Sequence, residues 1–427
     1  MFYFVNVLGM VFLGFNLDVG LLFMFFFYLG FLFFYWGELM VFTDFVSFGM
    51  ELLLLWLFFL FFFVLVMGSW GYGVLSYFFF FFFFFFFFVF FVYLVWSIYF
   101  FFIFFLSFLW FLFFFLCWDL DWGSSVWVRL CMCYFMLFFF SLPFLLGIFW
   151  FYDYMNTLNF FFVYYLGDFY FDLVSFVVFL LVFLVKLPCY IFHLWLPSAH
   201  VEASVGGSMV LAGVMLKMGG YGLLRFVGFF IFGFSFFSYL VAFGIWGAVV
   251  VSFLCLRSCD LSVMVAYSSV FHMSLLVSVW ALGKFMSVVV IFFMMFSHGL
   301  ISPMMFYLVG LFYDCLSTRS VLVMRGLVFF FPVYLYFWVL ILMFNMGFPP
   351  FMSFFFEFMY LSLVFGSWVW YFVFLLAGLV FSGLYNILMF SYLYLGSGFG
   401  YVVGIGGFVD YFLYVVFLFM YVFYFFF

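Results

Sequence analysis

The sequence predicts an all-α, polytopic membrane protein of about fourteen transmembrane helices. Three observations predict it. Of the 427 residues, 74% are hydrophobic and only 5% are charged, whereas a soluble domain carries roughly a quarter charged residues. The mean hydropathy is +1.55, which leaves too little polar surface to cover a soluble core. Apolar runs of about 20 residues, the length that spans a bilayer as a helix, follow one another along the whole chain. A transmembrane barrel would need short segments alternating polar and apolar, and these runs are apolar all round.

Taken in order, breaks at Gly, Asp, Ser, Arg and Pro place helices near 1–15, 21–36, 45–67, 74–96, 98–117, 130–151, 170–200, 205–226, 229–253, 261–282, 285–312, 328–364, 368–394 and 408–427. The first is short. Connections are brief: Asp119-Leu-Asp-Trp-Gly-Ser-Ser, Arg257-Ser-Cys-Asp, Asp314 to Arg325 and the Gly-rich 396–407. No soluble domain fits between them, so 1–427 is expected to be a single integral membrane domain. The N-terminal MFYFVNVLGM has neither the basic start of a signal peptide nor the Arg/Ser-rich pattern of a transit peptide. Synthesis where the chain is used, or insertion through its own helices, is expected. Loop Lys and Arg are too few to orient the chain by the positive-inside rule.

The net charge of −6 is spread thinly over loops. There is no basic patch, which argues against nucleic acid as a partner; the lipid bilayer is the first partner implied. The seven cysteines (Cys117, Cys131, Cys133, Cys189, Cys255, Cys259, Cys315) are scattered in apolar surroundings and read as small core residues rather than a metal or disulfide set. The 99 phenylalanines, together with the absence of Gln, fit a strand-biased nucleotide composition of the kind common in small organellar genomes. The run Phe78 to Phe88 then reads as lipid-facing filler.

Two segments are too long and carry prolines. One is 170–200, with Pro188 and Pro197. The other is 328–364, with Pro332 and then Asn345-Met-Gly-Phe-Pro-Pro350. Proline lacks an N–H and clashes with the preceding turn, so breaks are expected at these prolines. Broken backbone is tolerated in a bilayer only where it is buried in protein or lines a wet cavity. A pair of such helices in corresponding halves points to a transport path between inverted repeats. From Pro188 to Pro349 is 349 − 188 = 161 residues, room for about five helices.

The ionisable groups inside these apolar runs carry the functional reading. The stretch Lys186 to Arg225, KLPCYIFHLWLPSAHVEASVGGSMVLAGVMLKMGGYGLLR, holds two of the three lysines and two of the four histidines. Lys217 lies mid-helix. Gly206, Gly213 and Gly220 recur every seven residues, and Lys217 is four after Gly213 and three before Gly220, so it should share their face and point into the bundle. A charged lysine at the bilayer centre costs about 2.5–3.5 kcal/mol on insertion scales, which marks it as functional. Lys186 precedes the first break and is open to a second reading, a snorkelling side chain; for Lys284, between two helices, snorkelling is the better reading. Glu357, seven residues after Pro350, is an acid within a membrane helix. Glu51 lies near a helix start, where the dipole favours an acid. His272 has Ser268 and Ser269 one turn before it and His298 follows on the next helix; four histidines in all (His193, His200, His272, His298) among so few polar residues suggest a relay, since imidazole exchanges protons near neutral pH. Hydroxyls at that spacing could hold a bridging water. His193 and His200 are seven apart across a proline with no third ligand evident, which argues against a metal site. The chemistry these residues imply is proton movement.

With the blocks DLSVMVAYSSVFHMS, SHGLISPMMFYLVG and NMGFPPFMSFFFEF following in order, the Lys186–Arg225 stretch resembles the signature of the antiporter-like, proton-translocating membrane subunits of mitochondrial respiratory complex I, NADH:ubiquinone oxidoreductase. The resemblance covers roughly Lys186 to Glu357; the first 100 and last 60 residues match only in hydropathy. It implies two inverted five-helix repeats, each with a broken helix, here 74–226 and 229–394, flanked by N-terminal helices (1–73) and a C-terminal helix (395–427). It implies a proton path in which Lys186 is the broken-helix lysine, Lys217 the central lysine and Glu357 the distal acid, with His193, His272 and His298 between them. It implies a multi-pass location in the mitochondrial inner membrane and other membrane-arm subunits as partners. It implies no redox centre or metal in this chain, with NAD, FMN, iron–sulfur clusters and ubiquinone in or near partner subunits. No GxGxxG fingerprint precedes a strand–helix unit, and no cysteine set has cluster spacing.

The sequence departs from the family pattern twice. No acid lies between Phe101 and Trp118, where Leu106 and Ser107 stand near the family's glutamate partner for the broken-helix lysine. Asp260-Leu-Ser262 lacks the lysine that usually ends that motif. Glu51 or Asp119 could supply the missing acid. Two other functions are open on the sequence: a cation/proton antiporter subunit outside complex I, and a structural spacer in the membrane arm that does not conduct.

Overall fold

The computed structural model describes residues 139–150, 152–153, 173–203, 205–226, 234–329, 332–349, 351–367 and 369–395. The helices expected near 1–15, 21–36, 45–67, 74–96, 98–117 and 408–427 lie outside them. Apart from one antiparallel bridge between Asp260 and Ser320, regular structure among the described residues is helical. In chain order the helices are α1 (Phe139–Trp150), α2 (Leu173–Lys186), α3 (Trp195–Glu202), α4 (Val205–Val210), a π-helical turn (Leu211–Met215), α5 (Leu216–Phe226), α6 (Phe234–Arg257), α7 (Leu261–Ala281), α8 (Phe285–Leu316), α9 (Pro332–Asn345), α10 (Met352–Phe365) and α11 (Val369–Tyr394). Among the described residues five spans are long and apolar enough to cross a membrane: Gly207–Leu224, Phe236–Arg257, Leu261–Ala281, Met286–Leu316 and Val369–Tyr394.

Helix α7 is the centre of the bundle, buried along almost its whole length. It packs most extensively on α6 and α8. Glycines set the approach to α6: a Cβ at Gly244 would lie 2.8 Å from the Ser274 carbonyl oxygen and 2.9 Å from the Ser278 nitrogen. Between membrane helices lipid offers no hydrophobic drive for association, so close packing over small residues substitutes for it. The Trp280 indole N–H adds a hydrogen bond to the Leu223 carbonyl at 2.8 Å, tying α7 to α5.

Helix α11 shows the membrane pattern plainly. Its buried stripe, Leu375, Gly378, Ser382, Tyr385, Asn386, Met389 and Leu393, recurs at three- and four-residue steps and contains the polar residues. Its exposed face is apolar, with Trp370, Val373, Val380 and Ile387 outward. Polar inside and apolar outside is what a helix facing lipid on one side requires.

The breaks fall at two of the expected prolines and not at the others. Pro188 lies in the interruption between α2 and α3, and Pro349 in that between α9 and α10. Pro197, expected to break the 170–200 segment, instead sits in the first turn of α3, and Pro332 begins α9. A first-turn N–H has no intrahelical acceptor, so its loss costs nothing there. Each break is closed by a side chain of the second half donating to a carbonyl left over by the first. The Trp195 indole N–H reaches the Val185 carbonyl at 3.2 Å, and the Ser353 hydroxyl reaches the Phe344 carbonyl at 2.6 Å. The Val185 carbonyl gains a donor in this way, and the Phe344 carbonyl, which also accepts from the Gly347 N–H at 3.4 Å, gains a second and shorter one.

Segment 205–226, expected as a uniform α-helix, contains the π turn at Leu211–Met215. The extra residue in that turn breaks the seven-residue register from Gly213 to Lys217. On its far side the register holds: a Cβ at Gly220 would meet Met295 of α8, and Lys217 reaches the same helix.

Candidate functional site

The site forms where α5, α7, α8, α9, α10 and α11 converge. Lys217 is 1% exposed. Its ammonium donates to the Ala212 carbonyl in the π turn, lies 2.7 Å from His298 Nδ1 and donates to the Ser302 hydroxyl at 3.4 Å. Three donors thus meet three acceptors, as a buried lysine requires. The Ser302 hydroxyl donates in turn to the His298 carbonyl at 2.8 Å. Pro303 follows in α8; having no N–H, it disturbs the helix ladder one turn beyond His298.

The Lys217–His298 contact has the geometry to hold a proton on either side. With the proton on lysine, Nζ–H donates to Nδ1. With the proton on histidine, Nδ1–H donates to the neutral amine. The same 2.7 Å separation serves both. The His298 ring meets the His272 ring edge-on, with centroids 5.4 Å apart. His272 Nε2 lies 3.1 Å from Asn345 Oδ1 at the end of α9, and Asn345 Nδ2 donates to Asn386 Oδ1 of α11 at 2.9 Å.

A small cavity of about 10 Å³, room for about one water molecule, adjoins this chain. His272, His298, Ser297, Asn345, Ser353 and Glu357 contribute its polar wall. Glu357 reaches it from α10, with its carboxylate against Gly347: a Cβ there would lie 2.5 Å from Oε2. Gly347 has φ +69°, a conformation that glycine adopts without strain. The break after α9 therefore makes room for the acid.

Of the residues singled out in the sequence, Lys217, His298, His272 and Glu357 come together around this cavity and its polar chain. Lys186 is buried at the last position of α2. Its side chain passes Gly219, where an added Cβ would lie 3.2 Å from the lysine Cβ, so the small residue on α5 lets the first break approach Lys217's helix. The partners considered for Lys186, namely Glu51, Asp119 and the positions of Leu106 and Ser107, lie outside the described residues. His193 stands apart, stacked on Tyr190 at 5.6 Å and beside Tyr267 at 5.9 Å. The Ser268 and Ser269 hydroxyls donate to Val265 and Ala266 carbonyls of their own helix rather than toward His272. Lys284 is exposed at the start of α8.

Two buried amides were not anticipated, and His200 is counted with the other histidines without a place on the path. His200 is buried on α3, stacked face-to-face on Phe306 of α8 at 4.0 Å. The scarcity of polar residues counts it with the other three histidines. Asn345 and Asn386 are buried amides in apolar helices; Asn345 was visible only as part of the proline break, and Asn386 carried no motif.

A family model described as NADH:quinone oxidoreductase/Mrp antiporter, transmembrane, matches residues 97–383. NADH-ubiquinone oxidoreductase chain 4 of Locusta migratoria is 39% identical over 254 residues, covering 59% of this chain and 56% of the relative. The protein of the same name from Ceratitis capitata is 38% identical over 276 residues, covering 62% and 60%. The chain thus spans well under two thirds of the length of these relatives. In fold, it is similar to a chain of respiratory complex I from Thermus thermophilus, with TM-score 0.64 and 18% identity over 72% of this chain and 66% of that one. It is also similar to a chain of the Mrp complex from Dietzia sp., with TM-score 0.58 and 17% identity over 65% and 53%.

Proposed function

Because this chain belongs to the NADH:quinone oxidoreductase/Mrp antiporter transmembrane family, we propose that it is a proton-translocating subunit of the membrane arm of NADH:ubiquinone oxidoreductase, respiratory complex I. The observation that carries the reading is the linked polar chain from Lys217 through His298 to His272, opening on the cavity that Glu357 lines. Ionisable residues at membrane depth are expensive, and lining a shared cavity is what marks a proton pathway rather than isolated core groups.

In this reading electrons move in partner subunits, which hold the FMN, iron–sulfur clusters and the NAD and ubiquinone sites. This chain converts a change transmitted from them into proton steps. A charge change near Lys186 alters the field at Lys217. Lys217 passes a proton to His298 Nδ1 across their 2.7 Å contact. Water in the cavity carries it on to His272 and Glu357. His200 joins the first half of this path, and His193 sits beside the break that leads to it. The chain lies in the mitochondrial inner membrane with other membrane-arm subunits on its flanks.

The same reading gives about fourteen helices and two inverted repeats, over 74–226 and 229–394. The two breaks support the repeats. In both, a side chain donates back across the interruption over nearly the same span, ten residues for Trp195 to Val185 and nine for Ser353 to Phe344.

The likeness to the Mrp complex favours a second reading, a cation/proton antiporter subunit outside complex I. Mild-detergent extraction, a native gel stained for NADH dehydrogenase activity and mass spectrometry of the active band separate the two. The chain in a large active band supports the complex I reading; the chain only in a smaller inactive assembly supports the antiporter. Conduction is tested by Lys217→Ala in the assembled complex: protons moved per electron should fall, and an unchanged ratio would leave the chain a structural spacer.

A further inference from the structure

Two amides connect His272 to α11, and their order has a chemical consequence. Asn386 Nδ2 donates to the Ser382 carbonyl at 2.9 Å, one turn back in its own helix. A backbone carbonyl only accepts, so the NH2 end of the Asn386 amide must face it. Asn386 Oδ1 therefore faces Asn345 and accepts from Asn345 Nδ2 at 2.9 Å. That turns Asn345 Oδ1 toward His272, 3.1 Å from Nε2. An amide oxygen only accepts, so Nε2 carries a hydrogen. Reversing the Asn386 amide would set two carbonyl oxygens against each other. One backbone oxygen thus sets the direction of the whole chain. All three side chains are buried: His272 is 5% exposed, Asn345 3% and Asn386 0%.

We propose that Asn386, acting through Asn345, is a positioning residue that holds the His272 hydrogen on Nε2 and leaves Nδ1 as the atom at which this imidazole takes up and releases a proton. The inference rests on the proton-path reading above. A neutral imidazole has two tautomers, and which one is present is set by the hydrogen bond its other nitrogen makes. Here a proton arriving at Nδ1 gives an imidazolium with both nitrogens protonated. The Nε2 hydrogen stays bonded to Asn345, because an amide oxygen does not take it, and the Nδ1 proton leaves. The titratable groups around this ring are His298 from α8, Lys217 from α5, Glu357 across the cavity and Tyr385, which packs on the adjacent Phe271. Without the amide chain, both ring nitrogens would be open to them.

The test uses the assembled complex in sealed membrane vesicles, measuring protons moved per NADH oxidised. Asn386→Leu removes the acceptor for Asn345 Nδ2 and frees Asn345 to turn. Asn386→Asp, in its neutral acid form, presents a carbonyl oxygen to Asn345 and an O–H to the Ser382 carbonyl, restoring the order. Coupling should fall about threefold or more in Asn386→Leu, the scale of losing one buried hydrogen bond, and return to within about twofold of the parent in Asn386→Asp. Combined with His272→Ala, Asn386→Leu should add nothing, since both act through one ring. A further fall in the double variant, no restoration by Asn386→Asp, or unchanged coupling in Asn386→Leu overturns the proposal. Normal coupling in His272→Ala alone strikes the proton-path reading itself at that residue, and the proposal falls with it. Should Asn386→Leu not assemble, Asn386→Ala enters the same cycle with the same outcomes.

Discussion

Gly347→Ala probes the coupling between the second break and the acid it shelters. Two effects separate in the structure. The first is conformational: φ at this position is +69°, and an L-residue in the left-handed region costs about 1–2 kcal/mol. The second is steric. The new Cβ would lie 2.5 Å from Glu357 Oε2, 2.7 Å from Cδ and 2.9 Å from Oε1. Ordinary contact begins at 3.4 Å, so the carboxylate must move by 3.4 − 2.5 = 0.9 Å. Displacing a reacting group by about 1 Å reduces a rate by as much as about 100-fold. Gly283 supplies the control. Its φ is +62° and nothing lies within 4 Å of its Cβ position, so Gly283→Ala carries the backbone cost alone. The assay is proton translocation per NADH in vesicles, with the amount of assembled complex measured in parallel. Both variants should lose comparable stability, about 1–2 kcal/mol, while only Gly347→Ala loses coupling, by about tenfold or more. Equal coupling in the two variants would refute the argument that Gly347 exists to seat Glu357.

Gly244→Ala should weaken the α6–α7 contact, because two of its three nearest atoms are backbone, at 2.8 and 2.9 Å. Overpacking of this kind costs about 1–3 kcal/mol, read as a lower temperature of complex inactivation. Ser353→Ala removes the 2.6 Å donor to the Phe344 carbonyl and leaves it the longer bond from the Gly347 N–H at 3.4 Å. A loss of about 0.5–1.5 kcal/mol is expected, read as a smaller amount of assembled complex; an unchanged amount would contradict the role given to this bond at the break. Among the described cysteines, Cys259 is exposed while Cys189 and Cys255 are buried. A membrane-impermeant maleimide should therefore label Cys259 and spare the other two; labelling of the buried pair in intact complex would contradict the packing of the first break and of α6.

By itself, the sequence determined the membrane class, the all-helical fold, the places of several helices and the scarcity of ionisable residues that marked Lys217, His272, His298 and Glu357. Helices 261–282 and 368–394 were legible to within a residue or two, because long apolar runs end sharply at Gly, Asp and Ser. The prolines were legible as punctuation, but not which of them break a helix: Pro197 and Pro332 fall in first turns, where a missing N–H is harmless, and only the chain's path decides that. The π turn before Lys217 was invisible because it carries no sequence mark of its own. Its effect, a carbonyl at Ala212 offered to the lysine, appears only once the helix is built. His193 and His298 are equal candidates in the letters, yet one stacks on tyrosines and the other meets Lys217. Asn386 lies 41 residues from its partner Asn345, and no local pattern links them. Hydropathy is a sum over single residues, so one chain of letters reveals it. A hydrogen bond joins two side chains at a definite distance and direction, and only the packed bundle sets those.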